Sequence, residues 1–406
     1  MNKVKNLFLI KKEEKKPGKD YSVDEDFVLF KNKNTSLIKK EDISDIKMSL
    51  NDIASALNWP EITDHVNHEN GLSELLRLLS LYKDNNVVGN SSNCWSLLAT
   101  KNYNQLLEHG FKNFKRTIGN NYFNFLVQEG DIQIKTVESL LPAAILQSCR
   151  DAALSIPNDP AFPAREQFSY YYFVLLLWEY VKCLDTKNYL NKVEEPKEGN
   201  PILVHANGKS MSQDLANSLI EYYSIDNAVS FHNVKTVLEI GGGYGRDAYL
   251  ILSLNPNARI VMVDIMPALY IAQRYLSSVF KDRKIFKARD FSSYAEVKNQ
   301  IKDSSIIFLL PHQLALLPDN YFDLSINISS FGEMNLDQIQ WYFNQINRLT
   351  AKYFYMKQWD LSQNPFDGLK LHKSDYPVPE NWKEMFSRNC AIQNEFFETL
   401  YQVNQK

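Results

Sequence analysis

The stretch Val237-Leu238-Glu239-Ile240-Gly241-Gly242-Gly243-Tyr244-Gly245-Arg246-Asp247-Ala248 decides the fold. It opens as an apolar run, passes through four glycines in five residues and continues as an apolar-periodic segment to Leu254. That order predicts a strand, a turn and a helix. The chain is otherwise poor in glycine, with 14 in 406 residues, where ~7% is usual. Glycine gives access to positive φ and lets a ligand approach the backbone closely. A tight turn alone needs only one or two glycines, so this one is read as a nucleotide loop.

Working outward, strands are expected at Val234 to Ile240, Arg259 to Asp264, Ile306 to Leu310, Phe322 to Ile328, Lys352 to Trp359 and near Phe396 to Val403. Helices are expected at Tyr244 to Leu254, Pro267 to Phe280 and Asn335 to Leu349, the last opening with Asn335 and Gln338 at capping-box spacing. The alternation predicts an α/β fold: a doubly wound, Rossmann-like, mostly parallel sheet with helices on both faces. Ligands of such sheets bind beyond the carboxyl ends of the strands. This domain is assigned to residues 201–406.

Residues 46–200 read as a mostly helical N-terminal domain, preceded by a charged lead-in over 1–45. Leu72, Leu75, Leu76, Leu78 and Leu79 form an apolar stripe, and Gln167 to Leu184 is apolar nearly all round, with Tyr170, Tyr171 and Tyr172 read as core. Residues 185–212, with Pro196, Gly199, Pro201 and Gly208, read as a linker or irregular crossing. The helical part is expected to cover the carboxyl-end face and help form an acceptor pocket, or to build an oligomer interface.

Composition narrows the function classes. With 45 Lys+Arg against 48 Asp+Glu, a net charge of −3, there is no broad basic footprint for nucleic acid. Cys94, Cys149, Cys183 and Cys390 are scattered and suit a reducing compartment better than a disulfide or zinc framework. The first residues lack the apolar run of a secretory signal. Phe173 to Val181, the most apolar run, is far short of the ~20 residues of a membrane helix. A cytoplasmic protein with no membrane span is expected.

Two nucleotides compete for the glycine turn. Gly243-x-Gly245-x-x-Ala248, with Asp264 at the end of the next strand, satisfies the dinucleotide pattern. Glu239-x-Gly241-x-Gly243-x-Gly245 instead resembles the loop of S-adenosylmethionine-dependent methyltransferases. Charge favours the second reading. A carboxylate at Glu239 opposes a pyrophosphate, whereas S-adenosylmethionine carries a cationic sulfonium and ammonium. Asp264 can accept from both ribose hydroxyls in either case.

From about Gly199 to Trp359 the chain resembles the sugar O-methyltransferases, class I enzymes often encoded with bacterial surface-polysaccharide genes. The resemblance rests on GNP at 199–201, SQDLANSLIEYY at 212–223, VLEIGGGYGR at 237–246, IIFLLPHQ at 306–313 and FDLSINISSFGEM at 322–334. It implies S-adenosyl-L-methionine as cofactor and a sugar or nucleotide sugar as substrate. Cofactor contacts are expected from Glu239, Gly241, Gly242, Gly243, Tyr244, Asp264, Ile265, Pro311, Gln313, Asn327 and Ser329. In the class I fold the loop after the fourth strand lies beside the transferred methyl group, which makes Glu333 the expected catalytic base. His312 is the alternative; an ordinary loop carboxylate and a packing histidine are the competing readings of the two. Gln358, Trp359 and Asp360 end the fifth strand and are candidate walls of the acceptor pocket.

No metal is expected. His65-x-x-His68-Glu69 has i, i+3 spacing but no further ligands. A dinucleotide-dependent oxidoreductase, a non-catalytic S-adenosylmethionine-binding module and an N-methyltransferase remain the rival readings.

Overall fold

The computed structural model describes residues 92–116, 126–157, 164–206, 208–364 and 367–403, together with Glu74, Leu75, Arg77, Leu78 and Leu81. The charged lead-in, Leu72, Leu76, Leu79 and the His65–Glu69 group lie outside the described residues.

The helices are α1 (Asn93–His109), α2 (Leu126–Leu140), α3 (Ala143–Ser155), α4 (Ala164–Leu184), α5 (Gln213–Val229), α6 (Arg246–Leu254), α7 (Ala268–Val279), α8 (Tyr294–Asp303) and α9 (Leu336–Leu349). The strands are β1 (Val204–Ala206), β2 (Lys209–Met211), β3 (Thr236–Ile240), β4 (Arg259–Val263), β5 (Ile285–Phe286), β6 (Ile306–Leu309), β7 (Phe322–Ile328), β8 (Thr350–Trp359), β9 (Leu361–Asn364), β10 (Leu369–His372), β11 (Lys383–Asn389) and β12 (Phe396–Gln402).

Eight strands form one sheet in the order β11-β12-β8-β7-β3-β4-β6-β5. Strands β3 to β8 are mutually parallel, β12 runs antiparallel to β8, and β11 runs antiparallel to β12. The chain winds one way from β3 through β4 to β6 and the other way through β7 to β8. The point of reversal therefore lies between β3 and β7, where ligand crevices of doubly wound sheets form.

Strand residues alternate between two cores, as the pleat requires. Val237, Ile260, Met262, Ile306, Phe308, Ile326 and Tyr355 join α4, α5, α6 and α7 on one face. Leu238, Val261, Val263, Ile307, Leu309, Phe354 and Met356 join α8 and α9 on the other. The first cluster runs without a break into the helical layer, through Phe114, Leu75, Leu78 and the core residues Tyr170, Tyr171 and Tyr172.

Several expected elements shift, each for a local reason. Helix α6 starts at Arg246 because Gly245, at φ 88°, is its left-handed N-cap. The capping box at α9 forms as expected, with Gln338 N donating to Asn335 Oδ1 at 2.9 Å and Asn335 N to Gln338 Oε1 at 3.1 Å. Strands β5, β9, β10 and β11 were not foreseen; β5 has two residues, and β11 is polar and largely exposed, so neither carries a clear apolar alternation. The crossing at 185–212 contains the β1–β2 hairpin.

Candidate active site

The glycine turn leaves β3 at the point of reversal. Gly241, Gly243 and Gly245 all have positive φ. Gly241 N donates to Val263 O at 2.8 Å, tying the turn to the end of β4. A Cβ on Gly241 would lie 2.2 Å from Ser330 Oγ, and one on Gly242 would lie 2.6 Å from Glu239 Cδ. The turn is thus wedged between the loop after β7 and the side chain of Glu239.

Three buried carboxyl groups belong to this region. Asp264 accepts from Gly243 N at 2.8 Å through Oδ2 and from Ile265 N at 2.7 Å through Oδ1. Burial pushes it up to about 7, against the opposing pull of those amides. Glu239 is 2% exposed, and its Oε2 has no hydrogen-bond partner among the described residues. Burial drives it well above the usual carboxylate range, with Asp247 adding to the effect and Arg246 opposing it. Glu333 is 7% exposed, in the short 3-10 turn Phe331–Glu333 after β7. Burial, and then the charge of Asp264, raise it well above its ordinary value.

Several of the expected contact residues brace the chain. Asn327 is fully buried: its Nδ2 donates to Ile240 O at 3.0 Å and to Ser330 Oγ at 2.6 Å, while its Oδ1 accepts from Gln358 Nε2 at 2.5 Å. With its Nδ2 bonded to both acceptors, it fastens the β7 loop to β3. Gln313 is also fully buried, with Leu310 N donating to its Oε1 at 2.9 Å and its Nε2 donating to Arg289 O at 2.7 Å. The Tyr244 ring packs edge-on against Phe114 and Tyr275, and its hydroxyl donates to Asp214 Oδ2 at 2.7 Å, leaving only its backbone for the turn. Trp359 packs on Phe396, with ring centroids 4.1 Å apart.

The remaining expected residues keep positions at the carboxyl end. Pro311 begins the 3-10 turn Pro311–Leu316 after β6 and is buried. His312 is half-buried; burial lowers its pKa, and Asp290 opposes that shift. Ser329 has φ 56°, and its amide donates to Lys357 O at 2.8 Å. Asp360 N donates to Glu395 O at 2.8 Å, at the start of the β9–β10 hairpin.

Sequence reasoning missed a buried ion network beneath the turn. Arg246 Nη1 lies 2.5 Å from Glu221 Oε2 and 3.0 Å from Asp247 Oδ1, and also donates to Ser218 Oγ at 2.7 Å. Lys357 Nζ lies 2.8 Å from Glu221 Oε1 and donates to Gln393 Oε1 at 2.5 Å. Burial works against the Glu221 carboxylate, but Arg246 and Lys357 together outweigh it and hold it at about 2. The signal for this network was a lone acid in an otherwise nearly apolar stretch of α5, with an arginine directly after the glycines.

The helical layer hydrogen-bonds to the sheet domain at two places. Glu74 accepts from Gln273 Nε2 at 2.8 Å, and Arg77 NH2 donates to Ala288 O at 2.8 Å, just past β5. At the other end, the first residues of α1 bind Asp367 in the β9–β10 hairpin. Among the described residues no group of three His, Cys, Asp or Glu side chains could hold a metal ion, and no helix is long and apolar enough to cross a membrane.

No protein-family model matches the chain, and no curated protein matches it. It is similar in fold to solved structures. One is the PH0226 protein of Pyrococcus horikoshii OT3, at 15% identity over 45% of this chain and 92% of the other, TM-score 0.32. A SAM-dependent methyltransferase from Aquifex aeolicus shares 14% identity over 42% of this chain and 82% of its own, TM-score 0.29. The glycopeptide N-methyltransferase MtfA, solved with sinefungin, shares 12% identity over 45% and 85%, TM-score 0.31. Each spans less than half of the chain.

Proposed function

We propose that the chain is an S-adenosylmethionine-dependent methyltransferase acting on a hydroxyl oxygen of a sugar, either nucleotide-activated or within a saccharide. The observation that carries the cofactor assignment is the buried Glu239 Oε2 beside the glycine turn, without a partner among the described residues. Burial favours the neutral form of this carboxyl group; a cationic ligand would stabilise its ionised form, whereas a pyrophosphate would oppose it.

The residues present fit the group. Glu239, the turn Gly241–Tyr244, Asp264 and Ile265 would hold it. Each Asp264 oxygen accepts one backbone N–H and keeps lone-pair capacity for a hydroxyl. When bound, S-adenosylmethionine supplies a methyl group activated on a cationic sulfur. The chain's own work is then to align an acceptor and remove its proton. Alignment contributes ~7–11 kcal/mol, and a positioned base about 10²–10⁴-fold.

Glu333 is assigned as that base. It lies in the turn after β7, beside the point of reversal, and no side-chain hydrogen bond holds its carboxylate among the described residues. The choice of a sugar hydroxyl rests on the resemblance carried by LPHQ and SSFGEM. Calorimetry with S-adenosylhomocysteine and with NAD tests the cofactor, and a screen of nucleotide sugars for S-adenosylhomocysteine release tests the acceptor. Tight NAD binding with no binding of S-adenosylhomocysteine would end this reading.

A further inference from the structure

The turn that carries Glu333 is held from a distant part of the chain. Asn364, buried at the end of β9, donates from Nδ2 to Glu333 O at 3.3 Å and to Asp367 Oδ2 at 2.8 Å. Asp367 N returns a hydrogen bond to Asn364 Oδ1 at 3.2 Å. The Asp367 carboxylate also receives the start of α1: Asn93 N and Nδ2 each donate to Oδ1 at 2.9 Å, and Cys94 N donates to Oδ2 at 3.3 Å. A carboxylate at a helix N-terminus meets unpaired N–H groups and the positive end of the dipole. Such charge-assisted bonds are stronger than neutral ones.

Capping alone does not account for this arrangement. Ser92 already caps α1, accepting from Trp95 N at 3.1 Å. What Asp367 adds is a link from the helical layer, through Asn364, to the backbone of Glu333. The other flank of the turn is equally tight, since a Cβ on Gly332 would lie 2.1 Å from Ser362 Oγ on β9. The Glu333 carboxylate has no hydrogen bond of its own among the described residues, so its placement depends on this backbone support.

We infer that Asp367 is a positioning residue for Glu333, coupling the docking of the helical layer to the placement of that carboxylate. The inference rests on the proposed function for the role of Glu333. A displacement of about 1 Å in a reacting group can lower a rate by ~10²-fold, so a brace of this kind acts on catalysis without touching substrate.

The test compares full-length Asp367→Asn with Ser92→Ala, which loosens the start of α1 but leaves the Asn364 link intact. Two readouts apply: amide hydrogen exchange, and titration of the Glu333 carboxyl by infrared difference spectroscopy, assigned with Glu333→Gln. In Asp367→Asn, exchange should rise about tenfold or more at both 93–95 and 331–334. The Glu333 midpoint should fall by about one pH unit as the group becomes more hydrated. In Ser92→Ala only 93–95 should respond. Exchange at 331–334 and a Glu333 midpoint both unchanged in Asp367→Asn would overturn the inference. If Asp367→Asn does not fold, Asn364→Ser reads the same link from the other end, and a response confined to 331–334 would overturn it. Calorimetry of the wild-type chain with S-adenosylhomocysteine separates the two ideas: absence of binding refutes the methyltransferase reading, whereas the exchange pattern judges the brace.

Discussion

The Asp264 carboxylate accepts the Gly243 amide at 2.8 Å, across the gap between the end of β4 and the glycine turn. This bond fixes the turn's shape and places a buried acid where a ribose is expected. Loss of the carboxylate should weaken S-adenosylhomocysteine binding by roughly 1.5–3 kcal/mol, the contribution of a hydrogen bond to a charged group. Calorimetry of Asp264→Ala checks this, and unchanged affinity would remove Asp264 from the cofactor site.

The same residue gives a pH signature without ligand. Burial raises Asp264 from 3.8 to about 7, so folding takes up a proton between these values. Its contribution to stability is fully present below about pH 4 and is lost as pH rises through 7. Asp264→Asn has no such loss. The melting temperature of the variant should therefore gain on wild type between pH 5 and pH 8. S-adenosylhomocysteine, by donating hydroxyls to the carboxylate, should narrow that gap. A constant difference across the range would contradict the assignment.

Gly241 carries two separable constraints: φ is 69°, and a Cβ would lie 2.2 Å from Ser330 Oγ. Gly241→Ala should cost about 1–2 kcal/mol for the left-handed backbone and about 1–3 kcal/mol for overpacking. Adding Ser330→Gly should recover at most the second part, less the cost of the lost Asn327 Nδ2–Ser330 Oγ bond. Gly208→Ala, at φ 73° with nothing within 4 Å of its Cβ, should show the first part alone. Denaturant melts of the three variants distinguish the two costs.

How far the sequence could be read depended on the range of the determining interactions. The parallel strands announced themselves through local apolar runs and the glycine turn, so β3, β4, β6, β7 and β8 were legible. The braces were not, because Asn327 and Gln313 carry the same letters whether they face a ligand or a backbone carbonyl. Their roles follow from tertiary partners such as Ile240 O and Arg289 O. Glu221 stood out locally as an acid among apolar neighbours, but its partner Lys357 lies 136 residues away and no local pattern names it.

That network predicts a large stability effect. Glu221 lies between Arg246 and Lys357, and removing its charge takes a carboxylate from both buried cations, Arg246 keeping Asp247 at 3.0 Å. Glu221→Gln should cost ~3–5 kcal/mol, whereas Glu179→Gln, which breaks the more exposed pair with Lys182 at 2.5 Å, should cost under about 1 kcal/mol. Glu221 is held at about 2 against an ordinary 4.5. Its stabilisation is therefore present above pH 4.5 and lost as pH falls toward 2. The gap between wild type and Glu221→Gln should close in acid, and urea melts at pH 3 and pH 7 would show whether it does.

The last prediction concerns the base. A sugar hydroxyl is a weak nucleophile until its proton is removed, and the acceptor of that proton must be in its deprotonated form when the substrate arrives. Burial and the charge of Asp264 raise Glu333 well above the usual carboxylate range. A Glu333-dependent rate should therefore climb with pH at values above the ordinary carboxylate range, since the ionised form grows as pH rises. Glu333→Gln keeps the shape and removes the basicity. It should lower kcat by about 10²-fold or more and abolish this climb, while S-adenosylhomocysteine affinity stays nearly unchanged. His312, whose pKa is lowered by burial, is uncharged at neutral pH and is the competing acceptor. His312→Gln should cost less and keep the climb. Normal turnover by Glu333→Gln together with loss in His312→Gln would transfer the role to His312. Normal turnover by both variants would leave alignment, or a residue not considered for the role, to carry the step.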